Sequence, residues 1–107
     1  MTKVLVQNDK DFDLNFAAKD SAGLVLDLTS VTSVTFYMKA LNATTAKISG
    51  ACAIVTPALG LCKYVVQAGD LDTVGNYMAE LEVLYSTTPA DKVTVQLDDI
   101  YVTEEQA

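Results

Sequence analysis

Apolar and polar residues alternate along three stretches of the chain. Phe12, Leu14, Phe16 and Ala18 are interleaved with Asp11, Asp13, Asn15 and Lys19; Val34, Phe36 and Met38 with Thr35, Tyr37 and Lys39; Tyr77, Ala79, Leu81, Val83 and Tyr85 with Met78, Glu80, Glu82 and Leu84. A period of two belongs to a strand with one face buried, so the pattern predicts three central strands. Their like-facing residues Phe12, Leu14, Phe16, Val34, Phe36, Leu81 and Val83 predict the core. Weaker strands are expected at Lys3–Gln7, Leu24–Leu28, Lys47–Val55, Leu61–Gln67, Val93–Leu97 and Ile100–Thr103. Asp20-Ser21-Ala22-Gly23, Pro57 to Gly60, Ala68-Gly69-Asp70 and Pro89-Ala90-Asp91-Lys92 supply the Gly, Pro and Asp that chain reversals use. Only Tyr37 to Lys47 could pass for a short helix, and Asn42, Thr44 and Thr45 weaken it. Seven or eight short strands in 107 residues predict an all-β fold, an immunoglobulin-like antiparallel β-sandwich, with residues 1–107 as a single domain.

Composition narrows the chemistry more than the fold. All seven basic residues are Lys, against ten Asp and four Glu, and the chain has no His, Arg or Trp. Imidazole-based nucleophilic catalysis and His-ligated metal sites are excluded, as are bidentate guanidinium forks on phosphate. A net charge of −7 with no basic stripe makes nucleic acid and anionic membrane poor partners, and neither is expected. The apolar run Val4-Leu5-Val6 is too short for a secretory h-region, so the expectation is a chain made without a leader. Cys52 and Cys62 are then expected to be free, buried thiols. A turn at Pro57–Gly60 places Cys52 opposite a residue near Val65, which sets the two sulfurs rows apart.

The segment Asp72-Thr73-Val74-Gly75-Asn76-Tyr77 has the form D-x-x-G-x-Y at the entry to a late strand. It has the form of a tyrosine corner, in which the hydroxyl bonds back to the preceding turn, so Asp72, Gly75 and Tyr77 are assigned a structural role. The antibody pattern is otherwise missing, with Ala79 at the second core cysteine and Phe36 on the strand that would carry the core tryptophan. Asp70 with Asp72, and Asp98 with Asp99, lack the spacing of a calcium loop and read as turn, cap and solvated strand-end residues. Glu80 and Glu82 share a strand face about 6.6 Å apart by strand rise, a spacing that carboxylate-pair hydrolysis could use, but nothing else supports it. Ser and Thr have no His to serve as base; no enzyme activity, cofactor or metal is expected. Asn42-Ala43-Thr44 reads as a polar loop. Tyr37, Met78, Leu84 and Tyr101, with Leu24, are apolar residues on outward strand positions, and the first four are the candidate partner contacts.

The order of elements resembles the immunoglobulin-like N-terminal domain of the phage baseplate upper protein family. The residues that carry it are Phe12-Asp13-Leu14-Asn15-Phe16, Lys19-Asp20-Ser21-Ala22-Gly23, Asp27-Leu28-Thr29, Val34-Thr35-Phe36-Tyr37-Met38-Lys39, Gly60-Leu61-Cys62-Lys63-Tyr64, Ala68-Gly69-Asp70 and Thr73 to Glu80. The resemblance implies a structural protein of a tailed-phage virion that joins baseplate or tail-fibre components, assembled in the host bacterial cytoplasm. It would sit among other virion proteins as a homo-oligomer, for example a trimer. Alternatives are a capsid or neck decoration protein and, more distantly, a non-viral adhesin or carbohydrate-binding module.

Overall fold

Alternation becomes register where the two longest apolar-alternating stretches lie side by side. The computed structural model describes residues 2–85 and 92–105. Nine strands lie among them: β1 (Lys3–Val6), β2 (Asp13–Ala17), β3 (Val31–Ala40), β4 (Ile48–Ala51), β5 (Ala53–Thr56), β6 (Leu61–Val65), β7 (Gly75–Tyr85), β8 (Lys92–Gln96) and β9 (Ile100–Thr103). Strands β3 and β7 pair antiparallel with Val34 opposite Val83, Phe36 opposite Leu81 and Met38 opposite Ala79. All six are buried, so one register turns both apolar sets to the same side.

The larger sheet runs β1-β9-β7-β3-β4, with β8 also beside β7, and the smaller runs β2-β6-β5. Packed face to face, they form the expected all-β sandwich. One ladder departs from the antiparallel expectation: β1 runs parallel to β9, Lys3 opposite Ile100 through Val6 opposite Thr103. These strands open and close the chain, so everything between them serves as the long connection that parallel neighbours need.

The core closes on Phe36, which stacks on Phe16 at 5.2 Å between ring centroids and meets Tyr64 at 5.1 Å. Leu14, Val34, Phe36, Leu81 and Val83 are buried as their alternation predicts, whereas Phe12 and Phe16 are partly buried at the margin. Strand β2, which carries Phe16, is the open edge of the smaller sheet, so its side chains are covered from one flank only.

Two expectations for the elements need correction. Leu24–Leu28 forms no strand; its one ladder contact is the isolated bridge between Lys19 and Val25. Its backbone is held instead by bonds to loop carbonyls, with the Leu26 N–H donating to Ala18 and the Leu28 N–H to Pro57. Lys47–Val55 is two strands in different sheets, because the chain crosses from one to the other at Cys52. The Cys52 N–H still donates to Val34 of β3 at 2.8 Å, while the next residue, Ala53, pairs with Lys63 of β6. That crossing brings the described strands to nine rather than seven or eight. Tyr37–Ala40 continues β3, and residues 41–47 form turns and bends, in keeping with the weak helical signal there.

The reversals fall where the punctuating residues stand. Asp20 accepts the N–H groups of Ala22 and Leu24 on one carboxylate oxygen, closing the turn to Gly23. Pro57–Leu59 makes a single 3-10 turn ended by Gly60 in the left-handed region at φ 69°. A Cβ at Gly60 would also lie 2.7 Å from the Leu26 carbonyl oxygen and 2.9 Å from that of Ala18, so backbone approach fixes glycine there twice over. The turn expected at Pro89-Ala90-Asp91 lies outside the described residues.

Candidate functional site

Tyr77 enters β7 from the Asp72–Gly75 turn with its ring buried. Its hydroxyl donates to the carbonyl of Thr73 at 2.6 Å, one residue past the Asp72 position expected. Gly75, at φ 151°, starts the strand in a conformation that side-chain-bearing residues avoid. Asp72 holds the turn from outside the core. Its carboxylate takes the Lys47 ammonium at 2.5 Å and the Thr73 hydroxyl at 2.8 Å, and its carbonyl takes the Gln7 amide at 2.9 Å. Those hydrogen bonds, Lys47 first and Thr73 second, hold the Asp72 carboxyl below the ordinary aspartate range. The three corner residues thus form a structural joint at the start of β7, with Tyr77 buried beneath the turn and Asp72 exposed on its outside, tied to Lys47 just before β4.

The outward face of the larger sheet carries the four candidate contact residues. Register along β7 sets Met78 beside Lys39, Glu80 beside Tyr37 and Gln96, Glu82 beside Thr35 and Thr94, and Leu84 beside Ser33 and Lys92. Tyr37 and Met78 line one groove of about 270 Å³, completed by Lys39, Thr44, Ala46 and Gln96. Met78 is 44% exposed there, the most open residue of the four. Tyr101 lies opposite Asn76, one row beyond Met78. Leu84 is six residues along β7 from Met78, about 20 Å away by strand rise. The structure therefore gathers Tyr37, Met78 and Tyr101 at one end of the sheet and leaves Leu84 at the other. Leu24 is exposed on the turn after β2 and belongs to neither end.

Between those ends lie the carboxylates. Glu80 accepts the Gln96 amide at 3.1 Å and Glu82 is 3.9 Å from the Lys92 ammonium, so each is answered by its neighbour on β8. Asp70 likewise accepts the Tyr64 hydroxyl at 2.6 Å and the Gln67 N–H at 2.8 Å. Burial, then the bond to Asp70, pushes the Tyr64 phenol well above its ordinary value. Among the described residues no three His, Cys, Asp or Glu side chains gather as a metal-holding group.

The two cysteines are where register was misread. Counting back from the turn puts Thr56 opposite Leu61, as expected, but a register shift between Ile54 and Thr56 moves the remaining pairs by one, to Ile54–Cys62 and Ala53–Lys63. One extra residue in a strand reverses its facing parity. Cys52 consequently shares the inward face with Cys62, and the two thiols are neighbours rather than rows apart. The Cys62 thiol beside it first, then burial, pushes the Cys52 thiol above its ordinary value, while Cys52 in turn holds the Cys62 thiol below its own. Both are free, but only Cys62 is fully buried.

The same shift exposes Val55, and with Leu61 and Val65 it forms an apolar outer face on the smaller sheet that alternation alone did not reveal. No family model matches the chain, and no curated protein matches it. Among solved structures it is similar to CopC from Methylosinus trichosporium OB3b, with a TM-score of 0.56 over 99% of this chain and 87% of that one. At 10% identity the likeness concerns the fold: CopC shares the β-sandwich. The similarity found is to CopC and not to a virion protein, so the expected role as a tailed-phage structural protein, whether in baseplate, tail, capsid or neck, is withdrawn.

Proposed function

We propose that this chain is a non-catalytic binding module that engages a partner protein through the outward face of its larger sheet. The observation that carries the reading is the groove holding Tyr37 and the exposed Met78 between Lys39 and Glu80. An aromatic and a thioether side by side, rimmed by one charge of each sign, suit a small protein contact: Tyr and Met are enriched at interface centres and charges at their rims. The chemistry of the chain favours contact over turnover, since Ser and Thr hydroxyls have no imidazole to take their proton and both outward glutamates already hold partners. With no Arg or Trp, each contact is modest in strength, so the module would serve best where several copies engage at once.

The test places a photo-crosslinking residue at Met78 in the full chain and looks for an adduct. The expected adduct is competed away by excess wild-type protein and not by excess Tyr37→Ala/Met78→Lys double variant. Equal competition by the two proteins, or the same adduct formed from a probe at the distant Leu24, would sink the proposal.

A further inference from the structure

Cys52 and Cys62 are the two cysteines of the chain, and the fold makes them neighbours. Cys52 stands where the chain changes sheet: its N–H donates to Val34 of β3 in the larger sheet, and the next residue opens β5 in the smaller. Cys62 lies on β6, the middle strand of the smaller sheet, with its side chain in the core. Because Ile54 pairs with Cys62, Cys52 is one diagonal step from Cys62 on the inward face. Each thiol is the first influence on the other's ionisation, as side chains in reach of each other are.

The two sulfurs differ in access. Cys52 is half-buried, so a small solute reaches it, whereas Cys62 is 1% exposed and is reached only from Cys52. With no third cysteine in the chain, a sulfur oxidised at Cys52 has a single intramolecular partner. That partner is held beside it by the register, and a group already in place reacts far ahead of one that must arrive from solution.

We infer that Cys52 and Cys62 are a redox modification site, converted by a small-molecule disulfide into an intramolecular bridge that staples the two sheets together at the crossing. The Cys52 thiolate attacks one sulfur of the small disulfide, whose S–S bond breaks, and one small thiol leaves with the proton that Cys52 lost. The Cys62 thiolate then attacks the Cys52 sulfur, and the second small thiol leaves with the proton from Cys62. Two electrons and two protons pass from the protein, and one disulfide is reduced to two thiols. A thiol reductant reverses both steps. The bridge ties Cys62 of the smaller sheet to a residue whose backbone is bonded to the larger, and it closes the loop through Pro57–Gly60, which restricts the unfolded chain. It involves no residue of the Met78 groove, so it stands or falls apart from the binding reading.

The test incubates the reduced full chain with oxidised glutathione under native conditions and follows free thiols by alkylation and intact mass. Both thiols are expected to disappear together, leaving a single chain lighter by two hydrogens and without glutathione, and dithiothreitol restores both. The oxidised chain melts higher than the reduced one by roughly 5–15 °C, the scale for closing a short loop in a domain of this size. Cys62→Ala, which lacks the second attacker, keeps one glutathione on Cys52. In Cys52→Ala the remaining thiol stays unreacted until urea unfolds the chain. Should either variant misfold by circular dichroism, the wild-type masses and melting temperatures decide alone. A glutathione adduct that persists on the wild type, a disulfide between two chains, or no loss of thiol before unfolding overturns the inference. So does an oxidised chain that melts no higher than the reduced one.

Discussion

The Tyr77 hydroxyl reaches its acceptor from a buried ring, so a phenylalanine there deletes one oxygen and leaves the Thr73 carbonyl without that donor. Tyr77→Phe is expected to cost about 1–2 kcal/mol, read from the shift in urea midpoint at unchanged slope; a cost near zero would show that the bond contributes nothing to stability. The motif was legible because a buried phenol needs a nearby acceptor and a D-x-x-G turn supplies one. The ion pair that braces the same turn was not, since Lys47 lies 25 residues from Asp72 and meets it only through the fold. Its contribution has a definite sign with pH. The folded carboxyl of Asp72 lies below the ordinary aspartate value of 3.8, so its stabilisation is present above that pH and is lost as pH falls through the lower folded value. Lys47→Met should therefore melt lower than wild type at neutral pH, with the gap narrowing under acid; a gap constant down to pH 2 would assign the loss to packing of the lysine stem.

At the scale of strands, β3, β7 and β2 could be found by alternation because each shows the core a single face. What sequence could not show is where a strand changes sheet. Cys52 donates to β3 and its successor pairs with β6, an exchange of partners that leaves no mark on the run from Ile48 to Val55. The shift beside Val55 is equally silent, and it alone decides that Cys52 and Cys62 face each other. Leu24–Leu28 failed for a different reason: the N–H groups of Leu26 and Leu28 are taken by the loop carbonyls of Ala18 and Pro57 and not by a neighbouring strand. Gly50 shows how tightly the crossing is built. A Cβ there would lie 2.4 Å from Cε1 of Tyr64, whose ring is fixed on its other side by Phe36 and at its hydroxyl by Asp70. Gly50→Ala is expected to cost about 1–3 kcal/mol, the range for overpacking. In a Tyr64→Leu background the obstructing ring is gone, and the same substitution should cost much less; an equal cost in both backgrounds would place the strain in the β4 backbone.

Across the whole molecule, the fold was readable because a sandwich is specified by a repeated local rule, whereas its use was not, because contact surfaces arise only where register brings distant positions together. Tyr37 and Met78 were singled out one by one from facing, but their common groove depends on the β3–β7 pairing, and Leu84 obeys the same local rule at the far end of the sheet. The acidic character of the chain invites a further question, whether any of its carboxylate pairs binds calcium. Calcium takes six to eight oxygen ligands and must strip carboxylates of competing donors. Asp70 and Asp72 are already spoken for: Asp70 by a phenol and an N–H, Asp72 by an ammonium and a hydroxyl. A cation at this site would have to break the Lys47 pair and loosen the Tyr64 anchor, a loss that a few exposed oxygens cannot offset. Ligand that binds only the folded state raises the melting temperature by linkage, so the measurement is direct. Micromolar calcium should leave the melting temperature unchanged. A rise that vanishes in Asp72→Asn would establish a calcium site at the turn, and with it a role for the acidic loops rather than for the sheet face.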